Sequence, residues 1–237
     1  MIRTRILVVA LVLGMALVSC LDGENKSTYR SGAVVVFSPE IGGLGMYTPF
    51  QGAMSIPELQ GQDLEDGDCI YTTYTINYDK QPTGTYYTAT DVRYQKLPKR
   101  EVITVSGDMV DEYNDTIVTI FPSSSPYFMG NLFVQAVQKG SIGQQYKLKL
   151  ICNTDSIDEK GVNTVFLKST KSNESTQSNS VEINTMEAFD LNPLISAYGK
   201  DTTINEQKYR VLPLNIKYEN KEGEYRQYGT VEVAVFK

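Results

Sequence analysis

The chemistry open to this chain is limited first by a residue type that it lacks. The 237 residues include no histidine, three cysteines and 28 acidic side chains. Without histidine the chain cannot form a Ser-His-Asp triad, a Cys-His dyad or a histidine-ligated zinc or iron centre. The candidates for chemistry are therefore the thiols of Cys20, Cys69 and Cys152, and the clusters of carboxylates.

Cys20 ends the run Leu17-Val18-Ser19-Cys20, which resembles the bacterial lipobox. In signals of that kind the thiol is acylated, the chain is cut before the cysteine, and the new amino group is acylated too. Residues 1–19 carry two arginines and then an apolar run from Ile6 to Val18, as a secretory signal peptide does. The run is too short to cross a hydrocarbon core of about 30 Å. The sequence therefore predicts a signal peptide at 1–19 and a protein held on the membrane by palmitate-like chains on Cys20, because two or three chains anchor stably.

Cys69 and Cys152 are too few for a zinc site made of cysteines alone. Alternation along a strand places Ile70 and Tyr74 on one face and Cys69 on the other, whereas Cys152 shares a face with Leu150. These opposite settings leave a disulfide between the two cysteines open but not favoured.

Two acidic clusters could hold a cation. The first surrounds Gly67, and the second is spread through a polar segment further on; their members are Asp63, Glu65, Asp66 and Asp68, then Asp108, Asp111, Glu112 and Asp115. The first lacks the alternate-residue ligands and closing bidentate glutamate of a calcium loop. We interpret the first as an acidic turn and the second as a solvated link, and predict no metal and no cofactor.

The net charge argues against nucleic acid as a partner. The chain carries 22 basic and 28 acidic side chains, a formal charge of −6. Its densest basic cluster, Lys96, Lys99 and Arg100 beside Pro98, fits a solvated turn better than a phosphate-binding stripe.

Short strands rich in Thr, Tyr and β-branched residues predict an all-β chain of two domains. We expect a flexible tether at 20–32, then an OB-like small barrel at 33–110. Its first strand would be Ala33–Phe37 and its last Glu101–Val105, in one sheet with Cys69–Tyr78.

Residues 111–237 are predicted to form an antiparallel β-sandwich, Ig-like, of about seven strands. Residues 169–180 are expected to be a long exposed loop because they lack large apolar side chains. Asn192-Pro193 predicts the start of one short helix that Gly199 ends, with Leu194, Ile195 and Tyr198 on its inner face.

The order of motifs resembles the NigD-like lipoproteins of Bacteroidales. The matching stretches are the lipobox, Gly42-Gly43, the run from Asp66 to Ile76, Tyr127 to Leu132, and Ala188 to Leu194. The resemblance implies an OB-like domain followed by a β-sandwich, with no established activity and at most a weak link to bacteriocin production or envelope interaction. The chain departs from the pattern at Pro49 to Gly52, where an acidic Asp-Gly turn is usual, and at Lys171 to Asn173, where Arg-His-Asn is common.

The resemblance also implies O-glycosylation at Asp-Ser or Asp-Thr followed by an aliphatic residue or threonine. Three positions match, Thr116, Ser156 and Thr202, two in predicted loops and one in the link between the domains. About one such match is expected by chance in a chain this rich in Ser and Thr.

We interpret the chain as a lipid-anchored envelope protein, on the outer membrane and facing the periplasm or the cell surface, that binds or assembles and is not an enzyme. Its partner in the envelope would be a glycan or a protein, and Tyr71, Tyr86 and Tyr87 are the candidate ligand face of an OB barrel. One alternative is a histidine-independent glycoside hydrolase with a carboxylate pair. Another is a pilus or adhesin component that is processed at Arg30 and exchanges its C-terminal strand.

Overall fold

The computed structural model describes residues 24–84, 86–107, 117–121, 127–157, 162–173, 179–204, 206–220 and 224–236. These residues form an all-β protein with a small OB-like barrel followed by a sandwich of two sheets. The predicted all-β fold with an OB-like barrel is confirmed.

The first sheet contains six strands: β1 (Lys26–Ser38), β2 (Gly43–Thr48), β3 (Gly52–Ser55), β4 (Cys69–Asn77), β5 (Tyr87–Thr88) and β6 (Thr90–Lys96). Their order is β5-β3-β2-β1-β4-β6. Strands β5 and β6 are consecutive in the chain, and β5 pairs in parallel with β3 while β6 pairs antiparallel with β4. The two ends of the sheet are therefore joined by one continuous segment, and the sheet closes into a barrel.

Glu58 fixes the break between β5 and β6, where the chain changes from one partner strand to the other. Its carboxylate accepts hydrogen bonds from the amides of Asp91, at 3.0 Å, and Val92, at 2.7 Å. Asp91 has φ of +54°, a conformation that non-glycine residues adopt seldom. The charged acceptor on two successive amides stabilises this bend, and with it the closure of the barrel.

The barrel begins earlier than the sequence predicts. Strand β1 starts at Lys26 and pairs with β4 from Lys26↔Asn77 onward. Glu24 bonds Lys26 and Lys80, and these hydrogen bonds lower the pKa of its carboxyl to about 2. Residues 24–32, assigned to a flexible tether, are therefore held in the fold, because their polar side chains alternate along a strand of a closed barrel instead of facing solvent on both sides.

The sandwich consists of a five-stranded and a six-stranded sheet. The first holds β7 (Lys99–Glu101), β9 (Ile117–Phe121), β10 (Tyr127–Phe128), β11 (Asn131–Ser141) and β14 (Ser180–Asp190). The second holds β8 (Ile103–Val105), β12 (Tyr146–Ile157), β13 (Asn163–Lys171), β15 (Lys200–Ile204), β16 (Gln207–Glu219) and β17 (Tyr225–Phe236). Apolar residues of both sheets, from Leu132 and Phe189 to Leu148 and Leu214, share one buried core.

Residues 99–105 lie in the sandwich and not in the barrel. Strand β7 pairs in parallel with β14, and β8 pairs in parallel with β12, so this segment passes from one sheet to the other at the edge of the sandwich. The assignment of Glu101–Val105 to the barrel was wrong, because a parallel partner lies far away in the sequence and leaves no local signal. The parallel pair β13–β16 likewise departs from the predicted antiparallel sandwich.

Strands β14 and β15 were not predicted, and β13 extends to Lys171 into the expected loop at 169–180, of which residues 174–178 lie outside the described residues. Strand β14 pairs with β11 over its full length from Ser180 to Asp190, and β15 forms a hairpin with β16. The single α-helix of the described residues, α1 (Asn192–Tyr198), ends at Gly199 as predicted. Leu194 and Ile195 are buried, but Tyr198, expected on the inner face, is 36% exposed.

The barrel and the sandwich meet in a buried apolar contact, here called the seam. It contains Val34 and Cys69 from the barrel, Leu97 from the connection, and Phe128, Phe133 and Ala188 from the sandwich. The rings of Phe128 and Phe133 stack with centroids 4.6 Å apart. A Cβ at Gly32 would lie 2.6 Å from the ring of Phe133, so only glycine lets β1 approach the sandwich this closely.

Candidate functional site

Tyr71 does not lie on an open ligand face. It projects from the outer side of β4, as the sequence predicts, but that side packs against the seam. The guanidinium of Arg30 lies over its ring, 5.0 Å from the centroid. Tyr71 is therefore engaged by the second domain on one side and by a cation on the other, and it is separated from Tyr86 and Tyr87.

Tyr86 joins two loops of the barrel. The first loop, Pro39–Gly42, connects β1 to β2; the second, Tyr78–Tyr86, connects β4 to β5. The hydroxyl of Tyr86 donates to Oε2 of Glu40 at 2.7 Å, and this hydrogen bond raises the pKa of Tyr86. We call the two loops and the residues beside them the loop rim; in OB folds these are the loops that flank bound ligands.

The second loop is fixed from within by Gln81. Its Nε2 donates to the carbonyls of Asn77, at 2.7 Å, and Thr88, at 3.1 Å, and its Oε1 accepts from the amide of Thr88 at 2.7 Å. Its first residue, Tyr78, shares a hydrogen bond with the hydroxyl of Tyr29, which raises the pKa of Tyr78 to about 12. These bonds make the rim a preformed surface.

The rim exposes aromatic side chains beside a carboxylate. Tyr87 is 40% exposed and contacts Tyr78 edge-on, with centroids 5.8 Å apart. Phe37, just before the first loop, is 62% exposed. The sequence analysis did not single out Phe37, because it only placed this residue at the end of a β-branched strand.

The outer face of β2 and β3, which often contacts ligands in OB folds, offers little here. Met46 and Met54 point into the barrel, so alternation places Gly45, Tyr47, Ala53 and Ser55 outside. Tyr47, the one aromatic residue of this set, packs against the seam. The loop rim is therefore the stronger candidate for binding.

The acidic turn around Gly67 is explained by local structure. Asp66 accepts a hydrogen bond from the amide of Phe37 at 2.8 Å, and Asp68 accepts from the amide of Glu65 and pairs with Lys96 at 2.7 Å. In the described parts of the chain no three His, Cys, Asp or Glu side chains are placed to hold a metal. The second acidic cluster, from Asp108 to Asp115, lies outside those parts.

Comparison with known families gives a match for the first domain. Residues 23–95 match the family model of the lipoprotein OB domain. The first domain is therefore similar to the lipoprotein OB domain. The match ends just before the seam residue Leu97 and the crossing segment 99–105, in agreement with the observed strand pairing.

Solved structures with a similar fold span both domains. An uncharacterised protein of Parabacteroides merdae is 14% identical with a TM-score of 0.63, covering 87% of this chain and 98% of its own. A candidate lipoprotein of Bacteroides fragilis is 10% identical with a TM-score of 0.54, covering 88% and 96%. A NigD-like immunity protein of Bacteroides caccae is 12% identical with a TM-score of 0.47, covering 87% and 96%. No curated protein matches the chain.

The family-model match over residues 23–95 bears out the predicted resemblance to lipoproteins of the NigD-like kind. The match to a lipoprotein OB domain indicates a membrane-anchored envelope protein. No helix within the described residues is long and apolar enough to span a membrane. The predicted anchor, Cys20, lies outside the described residues.

The two remaining cysteines lie in different cores and are free. Cys69 is buried in the seam between the barrel and the sandwich, and Cys152 is buried in the core of the sandwich. Burial raises the pKa of each thiol to about 11. Both thiols are therefore structural apolar residues and not nucleophiles.

The candidate glycosylation positions are not in loops where the structure describes them. Ser156 lies in β12, where the neighbouring Asp155 accepts a hydrogen bond from the amide of Gly107 at 2.7 Å. Thr202 lies in β15 and is exposed. Thr116 lies outside the described residues.

Arg30 sits in the middle of β1, opposite Thr73. Cleavage there would require β1 to leave the barrel, and it would separate the barrel from Cys20. Its pairing disfavours the pilus-type processing that the sequence left open.

Proposed function

We propose that the protein is a lipid-anchored protein of the outer membrane that acts by binding a partner, without catalysis, and that the loop rim is its binding surface. The observation that carries this proposal is the hydrogen bond from Tyr86 to Glu40, which joins the two loops that flank ligands in OB folds. Two exposed aromatic side chains adjoin these loops in the sequence: Phe37 lies just before the first loop and Tyr87 just after the second.

The anchor would hold the barrel at the membrane surface. Glu24 is already bonded into the barrel, and the few residues between it and Cys20 span at most about 15 Å when extended. The partner would therefore be a component of the envelope, met close to the bilayer.

The chemistry of the loop rim fits a carbohydrate ligand better than a protein partner. Aromatic faces beside a carboxylate provide stacking and hydrogen-bond acceptors for sugar hydroxyls, and a polar loop surface of this kind is small. A glycan is the ligand class that we favour.

Two carboxylates that could have served a hydrolase, Glu58 and Glu187, have structural partners instead. Glu187, nearly fully buried, binds Arg100 through two hydrogen bonds, and Glu58 holds backbone amides. These side chains stabilise strands, which supports a binding protein over a glycosidase.

A glycan array probed with the mature chain tests the ligand class. Binding should be lost in Tyr87→Ala and weakened about tenfold in Glu40→Gln, and it should persist in Tyr94→Ala, an exposed tyrosine on β6. Tyr71→Ala is unsuitable because it would disturb the seam. Equal binding by all variants, or none by the wild type, would contradict the proposal for the rim.

The anchor is tested separately. Metabolic labelling with a palmitate analogue should label the wild-type chain, and Cys20→Ser should remain unprocessed and unlabelled. A normally processed, soluble Cys20→Ser product would refute lipid anchoring.

A further inference from the structure

A small pocket lies in the sandwich, apart from the loop rim. Its volume is about 220 Å³. One wall is helix α1, with Leu194, Ala197 and Tyr198, and the other is the crossing segment, with Glu101, Val102 and Thr104. The pocket therefore forms where residues 101–104 pass from one sheet to the other beside the helix.

The floor of this pocket is apolar and fixed. Leu194 is buried in the sandwich core, and Val102 packs against the same core. Ala197 and Tyr198 form the edge of the pocket on the helix, and the ring of Tyr198 is partly exposed. Such a site accepts a methylene chain, because burying CH₂ groups on an apolar floor removes them from water.

Glu101 gives the mouth of the pocket a negative charge that its neighbours do not neutralise. On the same strand, Arg100 is bound by Glu187 at 2.6 Å and Lys99 lies 3.8 Å from Asp190. Within the described part of the chain, Glu101 has no ion pair or side-chain hydrogen bond. The surrounding protein carries a net charge of −6, so a cation is attracted to this carboxylate and an anion is repelled.

We propose that this pocket binds an arginine side chain of a cationic peptide. The methylene stem lies on Leu194 and Ala197, and the planar guanidinium meets the carboxylate of Glu101 beside the ring of Tyr198. Arginine fits this combination because its head forms forked hydrogen bonds with carboxylates and stacks on aromatic rings, while its stem covers apolar surface. The proposal is independent of the loop rim and of the proposed function.

The test uses the full mature chain and the probe N-acetyl-arginine amide, followed by amide chemical shifts in NMR titrations. The matched probe N-acetyl-citrulline amide has nearly the same shape without the charge. The arginine probe should bind with Kd on the order of 1 mM, shifting residues 101–104 and 194–198, and the citrulline probe should bind at least about tenfold more weakly.

Variants separate this pocket from the general acidity of the surface. Glu101→Gln should weaken binding about tenfold, and Ala197→Phe, which fills the pocket from an exposed helix position, should abolish it. Glu182→Gln removes an exposed carboxylate from β14 of the same sandwich and should bind like wild type. Equal binding of the two probes, shifts confined to other regions, or wild-type affinity in Glu101→Gln would each overturn the proposal.

Discussion

Arg100 and Glu187 form an ion pair in which one side chain is far more buried than the other, and this difference predicts how each substitution changes stability. The guanidinium donates to both carboxylate oxygens, at 2.6 and 3.0 Å. The Glu187 side chain is only 2% exposed, whereas that of Arg100 is 33% exposed. Losing the arginine therefore leaves a buried charge without a partner, but losing the glutamate leaves a cation that water can still reach.

The magnitudes follow from this difference. Arg100→Met should destabilise the sandwich by about 3–5 kcal/mol, the usual result of removing one partner of a buried pair. Glu187→Gln should cost about 1–2 kcal/mol, because Arg100 is hydrated and the amide keeps one acceptor. The double variant Arg100→Met/Glu187→Met should lie within about 1 kcal/mol of wild type, because no buried charge remains.

Urea unfolding of the four proteins, followed by circular dichroism, measures the double-mutant cycle. Lys99→Met is the matched control on the same strand, since Lys99 lies 3.8 Å from Asp190 and both side chains are partly exposed. It should cost less than about 1 kcal/mol. The reasoning is refuted if Lys99→Met and Arg100→Met are equally destabilising, or if Glu187→Gln is the worst single variant.

Three further predictions concern the thiols, a turn and the barrel closure. Burial raises the pKa of the Cys69 and Cys152 thiols to about 11, so neither should react with Ellman's reagent at pH 8 in the native protein. Both should react in guanidinium, and fast labelling of the native protein would contradict their burial. Gly130→Ala should lower the free energy of unfolding by about 2–4 kcal/mol, because φ is +75° and the new Cβ would lie 2.2 Å from the side chain of Asn192. Gly143→Ala, also at positive φ but with open space around the new Cβ, should lower it by about 1 kcal/mol, and equal losses of stability at both sites would exclude the steric cause. Glu58→Gln should cost about 1–3 kcal/mol and speed hydrogen exchange at the amides of residues 91 and 92, whereas unchanged exchange would show that Glu58 does not hold the bend.

The sequence predicts what local patterns encode. Alternation placed Ile70 and Tyr74 inside the barrel and Cys69 outside, and it placed Cys152 in a core, all as observed. The helix at Asn192-Pro193 and its end at Gly199 were also predicted, because capping and proline geometry act within one turn.

The errors concern partners that lie far away in the chain. Residues 99–105 pair in parallel with strands nearly 50 and 90 positions further on, as the register Ile151↔Ile103 and Ala188↔Lys99 shows. Strand β14 has a polar N-terminal half, so its sequence resembles a loop until β11 supplies the backbone partners. The burial of Tyr71 is decided by packing between domains, which alternation within one strand does not report.

The stretches that carry the family resemblance prove to be structural, and this limits what the resemblance can say about the ligand. The run from Tyr127 to Leu132 and the run from Ala188 to Leu194 lie side by side, with Leu132 opposite Phe189 and the amide of Leu191 bonded to the carbonyl of Gly130. At the two places where the chain departs from the family pattern, the side chains have different roles. Asn173 bonds the amide of Gln145 at 2.6 Å and is part of the fold, whereas Phe50 is 57% exposed on its turn.

Motifs that hold turns and strands together therefore report the architecture, and a ligand must be recognised by side chains that the architecture leaves free. In the barrel, the most exposed of these are Phe37, Phe50 and Tyr87, of which Phe37 and Tyr87 belong to the loop rim. Because Phe50 stands on a different turn, Phe50→Ser separates the two surfaces. It should leave glycan binding at the rim unchanged, and loss of binding in this variant would move the proposed site from the loop rim to the turn between β2 and β3.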